Sequence, residues 1–176
     1  AETGATPLSI MKQAIKSGDA SVLDRLPDSL SLFLGNHPDG AGAMGEICAL
    51  ALLLGLAYML WKKIITWHIP VSIIVTVFVL AGLMHVVNPV YADPVSVVLS
   101  GGLMLGAIFM ATDYVTSPMT HRGQLIYGVA IGALTVIIRN WGAYPEGMSF
   151  AILIMNAFTP LINNYVKPKR FGEVAK

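Results

Sequence analysis

This chain has little cysteine and little charge. Cys48 is the only cysteine among 176 residues, which excludes an internal disulfide and a multi-cysteine metal site. Charged residues make up 12% of the sequence, whereas soluble domains ordinarily carry about 25%. The net charge is only +1, which argues against a nucleic-acid partner. We therefore exclude a disulfide scaffold, a nucleic-acid-binding protein and an ordinary soluble domain, and we expect no metal site.

Apolar residues take the place of the missing charges and reach 55% of the sequence. They form five runs close to the roughly 17–25 residues that cross a bilayer as a helix. The runs are Met44–Trp61, Ile69–Val87, Pro94–Thr112, Gly123–Ile138 and Met148–Asn163. Because lipid cannot satisfy exposed backbone groups, we read each run as a helix. The sequence therefore predicts an all-α integral membrane protein with a polar segment (1–43), a five-helix membrane domain (44–166) and a basic tail (167–176).

Small residues are spaced at four-residue intervals within two of the predicted spans. Gly102 pairs with Gly106 in the third span, and Gly128 pairs with Gly132 in the fourth. Such spacing lets two membrane helices approach closely. We therefore expect a tight bundle.

Basic residues predict the orientation of the five spans. Seven of the eleven Lys and Arg residues fall on one face: Lys62, Lys63, Arg122, Lys167, Lys169, Arg170 and Lys176. Short loops rich in Lys and Arg stay on the cytoplasmic side. The C-terminal tail is therefore predicted to be cytoplasmic, and the polar segment 1–43 is predicted to lie outside.

Thr6 is the candidate with the most specific chemistry. It precedes Pro7 and an amphipathic run, Pro7–Lys16, a pattern typical of a threonine that caps the start of a helix. The run Thr3-Gly4-Ala5-Thr6 also resembles the sequence that flavin transferases recognise when they attach flavin mononucleotide (FMN) to a threonine hydroxyl. The two interpretations are compatible, because a helix N-terminus favours a phosphate. No base adjoins Thr6, so attachment is expected to need an external flavin transferase.

Three further stretches extend the resemblance over nearly the whole chain. The stretch Leu99–Thr116 resembles the membrane segment of RnfD and NqrB proteins, while Trp67–Pro70 and Asn156–Tyr165 resemble RnfD more closely. The resemblance covers the C-terminal half of such a protein. It implies one five-helix repeat of a urea-transporter-like inverted-repeat bundle.

The resemblance also implies a function. RnfD-like proteins are subunits of a complex in the bacterial inner membrane that couples electron flow between ferredoxin and NAD to Na⁺ or H⁺ translocation. Their covalent FMN, a phosphoester on threonine, would make this chain a flavoprotein and phosphoprotein. A second, noncovalent flavin in the complete protein is compatible with the resemblance, and the expected partners are the other subunits and membrane lipid. The alternatives are a transporter-like or channel-like half without a redox cofactor, and a structural anchor.

Three other residues have both a functional and a structural interpretation. Asp113, at the cytoplasmic end of the third span, is either part of an ion path or a loop carboxylate bonded to Thr116 or Ser117. Phe109, one turn earlier, is either a gate or a packing residue. Arg139, at the outer end of the fourth span, either contacts flavin, its phosphate or a neighbouring subunit, or extends to the membrane surface beside Trp141.

Overall fold

A computed structural model describes residues 6–35, 45 and 48–167, and every regular element in these ranges is helical. The α-helices in chain order are α1 (Pro7–Ser17), α2 (Ser29–Leu34), α3 (Ala49–Trp61), α4 (His68–Val87), α5 (Pro94–Leu99), α6 (Leu103–Leu105), α7 (His121–Trp141) and α8 (Met148–Tyr165). A 3-10 helix covers Ala20–Arg25 and a π-helix covers Gly106–Met110. The described chain is therefore mostly helical and consistent with an all-α membrane protein.

Helices α4 and α7 pack against each other at the centre. Within the described ranges, these two are long and apolar enough to cross a membrane. A Cβ added to Gly128 would lie 3.1 Å from the Ile69 carbonyl oxygen, and one added to Gly132 would lie 2.8 Å from Thr76 Cβ. The prediction that Gly128 and Gly132 permit close helix approach is confirmed.

Helix α8 packs on the other side of α7. It agrees with the predicted run Met148–Asn163 and continues to Tyr165. The buried Tyr127 hydroxyl of α7 donates a hydrogen bond to Asn156 Oδ1 of α8. Such polar contacts hold helices together where no water competes.

The third predicted span, Pro94–Thr112, is interrupted, which corrects the expectation of one continuous helix. Asp93 caps the start of α5 through a 3.2 Å hydrogen bond from the Val95 amide, and the helix ends at Leu99. Ser100 is extended, and Gly101 has a φ of +68°. Residues with a Cβ disfavour this backbone region, whereas glycine adopts it readily. The chain therefore turns at Gly101 before α6 begins.

The interruption also changes the roles of Gly102 and Gly106. Gly102 lies at the break, whereas Gly106 begins the π-helix and packs against α8, where an added Cβ would lie 2.5 Å from Met148 Cγ. The prediction that these two glycines share one face of a continuous helix is therefore wrong.

The segment before α3 forms α1, the 3-10 helix and α2. In α1, Leu8 and Met11 are buried and Ile15 is half-buried, as its amphipathic pattern predicts. Gly18 ends the helix with a φ of +68°. This helix lies against α5 and α7, which brings Thr6 near the break in the third span.

Candidate functional site

Thr6 is the N-cap of α1. Its Oγ1 accepts a 3.3 Å hydrogen bond from the Ser9 amide, and its carbonyl oxygen accepts hydrogen bonds from the Ser9 and Ile10 amides. Pro7 occupies the first turn, where its missing N–H costs nothing. The capping interpretation is confirmed, and Thr6 is exposed. The other residues of the flavin-transferase-like sequence, Thr3, Gly4 and Ala5, lie outside the described ranges.

The Leu8 side chain of α1 packs against Gly101, at the break in the third span. A Cβ added to Gly101 would collide with Leu8 Cδ1 and would lie 2.5 Å from Glu146 Oε2. Gly101 thus needs to be glycine both for its backbone conformation and for this contact. Because Thr6 is two residues from Leu8, their Cα atoms are at most about 7 Å apart.

Lys12, one turn further along α1, caps the end of α7. Its Nζ donates to the Gly142 carbonyl oxygen at 2.5 Å and to the Tyr144 carbonyl oxygen at 2.6 Å. The last carbonyls of a helix lack partners within that helix and carry its partial negative charge. Burial, together with the nearby Lys16 charge, lowers the pKa of the Lys12 ammonium.

Arg139 turns inward, which corrects the interpretation that it extends to the membrane surface. The residue is only 6% exposed. Its Nη1 donates to the Val97 carbonyl oxygen at 2.9 Å, and its Nη2 donates to the Ser100 carbonyl oxygen at 3.2 Å. The guanidinium therefore satisfies carbonyls at the C-terminal end of α5.

Glu146 lies at the same break and accepts hydrogen bonds from backbone amides, whereas Arg139 donates to carbonyls. Its Oε1 lies 3.2 Å from Arg139 Nη2 and accepts from the Gly147 and Met148 amides at 3.0 Å. Its Oε2 accepts from the Gly102 amide at 3.0 Å. Burial raises the pKa of Glu146, but the Arg139 charge and these amides outweigh it and hold the pKa below the usual value. The Arg139–Glu146 pair thus joins the end of α5 to the starts of α6 and α8.

Three buried side-chain polar atoms remain without a hydrogen-bond partner within the described part of the chain. Two of them, Arg139 Nε and Ser100 Oγ, lie at the break, and the third is His68 Nδ1 at the start of α4. A cavity of about 30 Å³ lies beside Arg139, between α1 and the helices α4 and α7, and Leu8, Lys12 and Arg139 contribute to its wall. This volume suits a water molecule and is too small for a flavin ring.

Asp113 and Phe109 lie at the far end of the π-helix and are not brought together with Thr6 and Arg139. The exposed Asp113 carboxylate accepts a 3.1 Å hydrogen bond from Thr116 Oγ1, as the loop interpretation predicts. The Phe109 ring packs against Gly55 of α3, where an added Cβ would lie 2.8 Å from Cζ. Packing thus accounts for Phe109, and the ion-path role of both residues stays a prediction.

Sequence reasoning missed Lys12 and Glu146 as members of this site. It also treated Gly101-Gly102 as part of a helix. The signal that indicates the break is this glycine pair inside an apolar run, because consecutive glycines commonly mark an interruption. In membrane proteins, glycine-interrupted segments often lie near binding sites.

Comparison with known proteins agrees with the resemblance carried by Leu99–Thr116. The sequence model of the family described as "NQR2, RnfD, RnfE family" matches residues 1–172 of this chain. The chain is 45% identical over 170 residues to the D-type subunit of the Na(+)-translocating ferredoxin:NAD(+) oxidoreductase complex of Acetobacterium woodii, covering 97% of this chain and 49% of that protein. It is 43% identical over 177 residues to the D-type subunit of the proton-translocating ferredoxin:NAD(+) oxidoreductase complex of Clostridium ljungdahlii, covering 98% and 52%.

A third relative is the D-type subunit of the ion-translocating oxidoreductase complex of Stutzerimonas stutzeri. It is 40% identical over 177 residues, covering 99% of this chain and 49% of that protein. The chain thus spans about half the length of the curated relatives it matches. The match over nearly all of its residues shows that the chain belongs to the NQR2, RnfD, RnfE family.

Proposed function

We propose that this chain is part of a membrane subunit of an Rnf-type ferredoxin:NAD oxidoreductase complex and carries FMN as a phosphoester on Thr6. The observation that carries the proposal is the position of Thr6 as the exposed cap of a helix held against the break in the third span. The names of the relatives supply the reaction class. They differ in the ion named, so the proposal includes translocation of either Na⁺ or H⁺.

The residues around Thr6 fit an attached flavin phosphate. The exposed hydroxyl is accessible to a flavin transferase. The positive end of the α1 dipole lies beside it and favours an anionic phosphate oxygen. FMN, when bound, supplies reversible electron transfer, and the chain's own part is to hold the attachment point against the bundle. A second, noncovalent flavin remains a prediction for the complete protein.

We further propose that the five apolar runs form one repeat of a urea-transporter-like bundle in the bacterial inner membrane. Helix α1 contacts the C-terminal end of α7 through Lys12. The same helix face borders Met84, near the C-terminal end of α4. Both ends lie opposite the basic loops at Lys62-Lys63 and Arg122 in the predicted topology. This agreement supports an outer position for Thr6 and a cytoplasmic C-terminus.

The test is in-gel ultraviolet fluorescence of the complete subunit, co-expressed with a flavin transferase. Thr6→Val is expected to abolish the flavin signal, because valine keeps the shape of threonine but lacks the hydroxyl. Thr66→Val, at an exposed position between α3 and α4, serves as the matched control and is expected to keep the signal. Unchanged fluorescence of the Thr6 variant would refute the site. An intact mass equal to the bare polypeptide would refute attachment altogether.

The interrupted third span favours one alternative, a transporter-like half without a redox cofactor. Broken helices and π-helical turns are frequent at transport and functional sites. This alternative predicts solute flux into liposomes that contain the Thr6→Val protein and no partner subunits. The electron-carrier proposal predicts no such flux.

A further inference from the structure

Lys12 makes all of the side-chain hydrogen bonds between α1 and the membrane helices that the structure describes. Its two acceptors, the Gly142 and Tyr144 carbonyl oxygens, lie 130 and 132 residues further along the chain. Apolar side chains of α1 also face the bundle, among them Leu8 and Met11, which cluster with Ala92 and Val97. Apolar contacts are not directional, so the ammonium group sets the position of α1 along and around the bundle.

A buried ammonium is costly unless its donors are satisfied. Lys12 is 9% exposed, and no carboxylate among the described residues pairs with it. The Gly142 carbonyl at the negative end of α7 and the Tyr144 carbonyl in the following loop provide the compensating interaction. If α1 moved away, these carbonyls would lose their donor. This dependence ties the position of α1 to the end of α7.

The contact of Leu8 extends the same docking to the break in the third span. Leu8 and Lys12 are four residues apart and therefore lie on one face of α1. Leu8 covers Gly101, while Lys12 holds the end of α7, the helix that also carries Arg139. A single helix face thus contacts both the break in the third span and the end of α7.

We infer that Lys12 is a positioning residue that fixes the cofactor-bearing helix α1 against the end of α7 and the break in the third span. The inference rests on the proposed function, because it assigns to α1 the task of holding a flavin attached at Thr6. Lys12 itself touches no reacting atom. It acts by limiting the orientations that Thr6, six residues away on the same helix, can adopt.

The first measurement is amide hydrogen exchange across α1 in the complete subunit, made in a flavin-free Thr6→Val background. Lys12→Met keeps most of the side-chain volume but removes the charge and the donors. We expect α1 to exchange about tenfold faster or more, since hydrogen bonds to charged groups are among the stronger ones. Lys16→Met, at an exposed position on the same helix, is the matched control and is expected to change exchange less than about twofold. Unchanged protection in the Lys12 variant would overturn the inference.

The second measurement is the fluorescence anisotropy and midpoint potential of the flavin in the complete complex with Thr6 intact. Lys12→Met is expected to lower the anisotropy and shift the potential, and Lys16→Met is not. Leu8→Ala, which removes the other docking contact, is expected to change the anisotropy in the same direction. Faster exchange of α1 with an unchanged flavin signal would overturn the positioning role.

The two measurements separate this inference from the proposed function. Absence of flavin from the unchanged complex would refute attachment at Thr6, and with it the assigned task of α1. The exchange experiment does not use flavin, so it reports docking by Lys12 in either case. A flavinylated complex in which Lys12→Met leaves α1 fully protected would refute only the inference.

Discussion

Two glycine pairs in this chain lie in similarly apolar surroundings but have opposite structural effects. Gly128 and Gly132 stay inside the continuous helix α7 and let α4 approach closely. Gly101 and Gly102 lie where one helix ends and another begins. The difference comes from their neighbours. At the break, Arg139 satisfies carbonyls of α5 and Glu146 satisfies amides of α6 and α8.

The comparison shows what the interruption inside this predicted membrane span requires. Unpaired backbone groups are not tolerated against lipid, so a helix can end there only if protein groups replace the missing hydrogen bonds. The Arg139–Glu146 pair supplies both a donor and an acceptor. No such groups are needed near Gly128, where the backbone ladder of α7 continues.

The largest expected effect comes from removing one member of the pair. Arg139→Met would leave the Glu146 carboxylate without its counter-charge and the carbonyls of α5 without donors. Breaking a buried pair costs about 3–5 kcal/mol, and we expect a loss near the lower end because the Glu146 side chain is 33% exposed. Denaturant unfolding of the complete subunit in detergent measures the loss. Arg122→Leu, at an exposed position, is the control, and equal stability of the two variants would contradict the assigned role of the pair.

A smaller effect distinguishes the two glycine pairs. Gly128→Ala should cost about 1–3 kcal/mol through overpacking, because the added methyl group collides with Ser72 Oγ. A second change, Ser72→Gly, should recover part of this loss.

Gly101→Ala should cost a similar amount, but the loss should persist when Leu8 is shortened to Ala, because the positive φ remains strained. Full recovery in the Gly101→Ala, Leu8→Ala double variant would contradict the backbone argument. Unfolding free energies of single and double variants provide the measurement.

The smallest effect is a dependence on pH at the break. The pKa of Glu146 is lower in the folded chain than its usual value of 4.5, so the carboxylate contributes stability above that pH. This contribution is lost as the pH falls below 4.5 and passes through the lowered pKa. Thermal unfolding of the complete subunit between pH 6 and about pH 3 should show this loss. Glu146→Gln should be less stable at neutral pH and have a flatter profile; a slope equal to that of the unchanged protein would exclude Glu146 as its source.

Much of the fold follows from local patterns in the sequence. The runs Ile69–Val87 and Met148–Asn163 agree closely with α4 and α8, because apolar residues dominate both runs; α8 continues through Pro160. The amphipathic spacing and the Thr6-Pro7 pair also predict α1 and its cap correctly. The third span differs, because an apolar run predicts burial but not whether the hydrogen-bond ladder inside it is continuous.

The candidate site is predictable only in part. Thr6 is identified by a short local sequence, whereas Lys12, Arg139 and Glu146 appear as isolated charges. Their partners are distant in sequence: Arg139 contacts Val97 across 42 residues, and Lys12 contacts Gly142 across 130. For Arg139, general tendencies favour extension to the membrane surface, and this interpretation is wrong here.

Composition and periodicity alone thus establish the helical class, the apolar segments, the cap at Thr6 and the close approach at Gly128. The folded chain alone establishes the break at Gly101 and the inward orientation of Lys12 and Arg139. The physical reason is that a charge can be buried only where a counter-charge or unpaired backbone groups converge on it. Such convergence arises when the ends of α5, α6, α7 and α8 meet, and no local stretch of sequence encodes it.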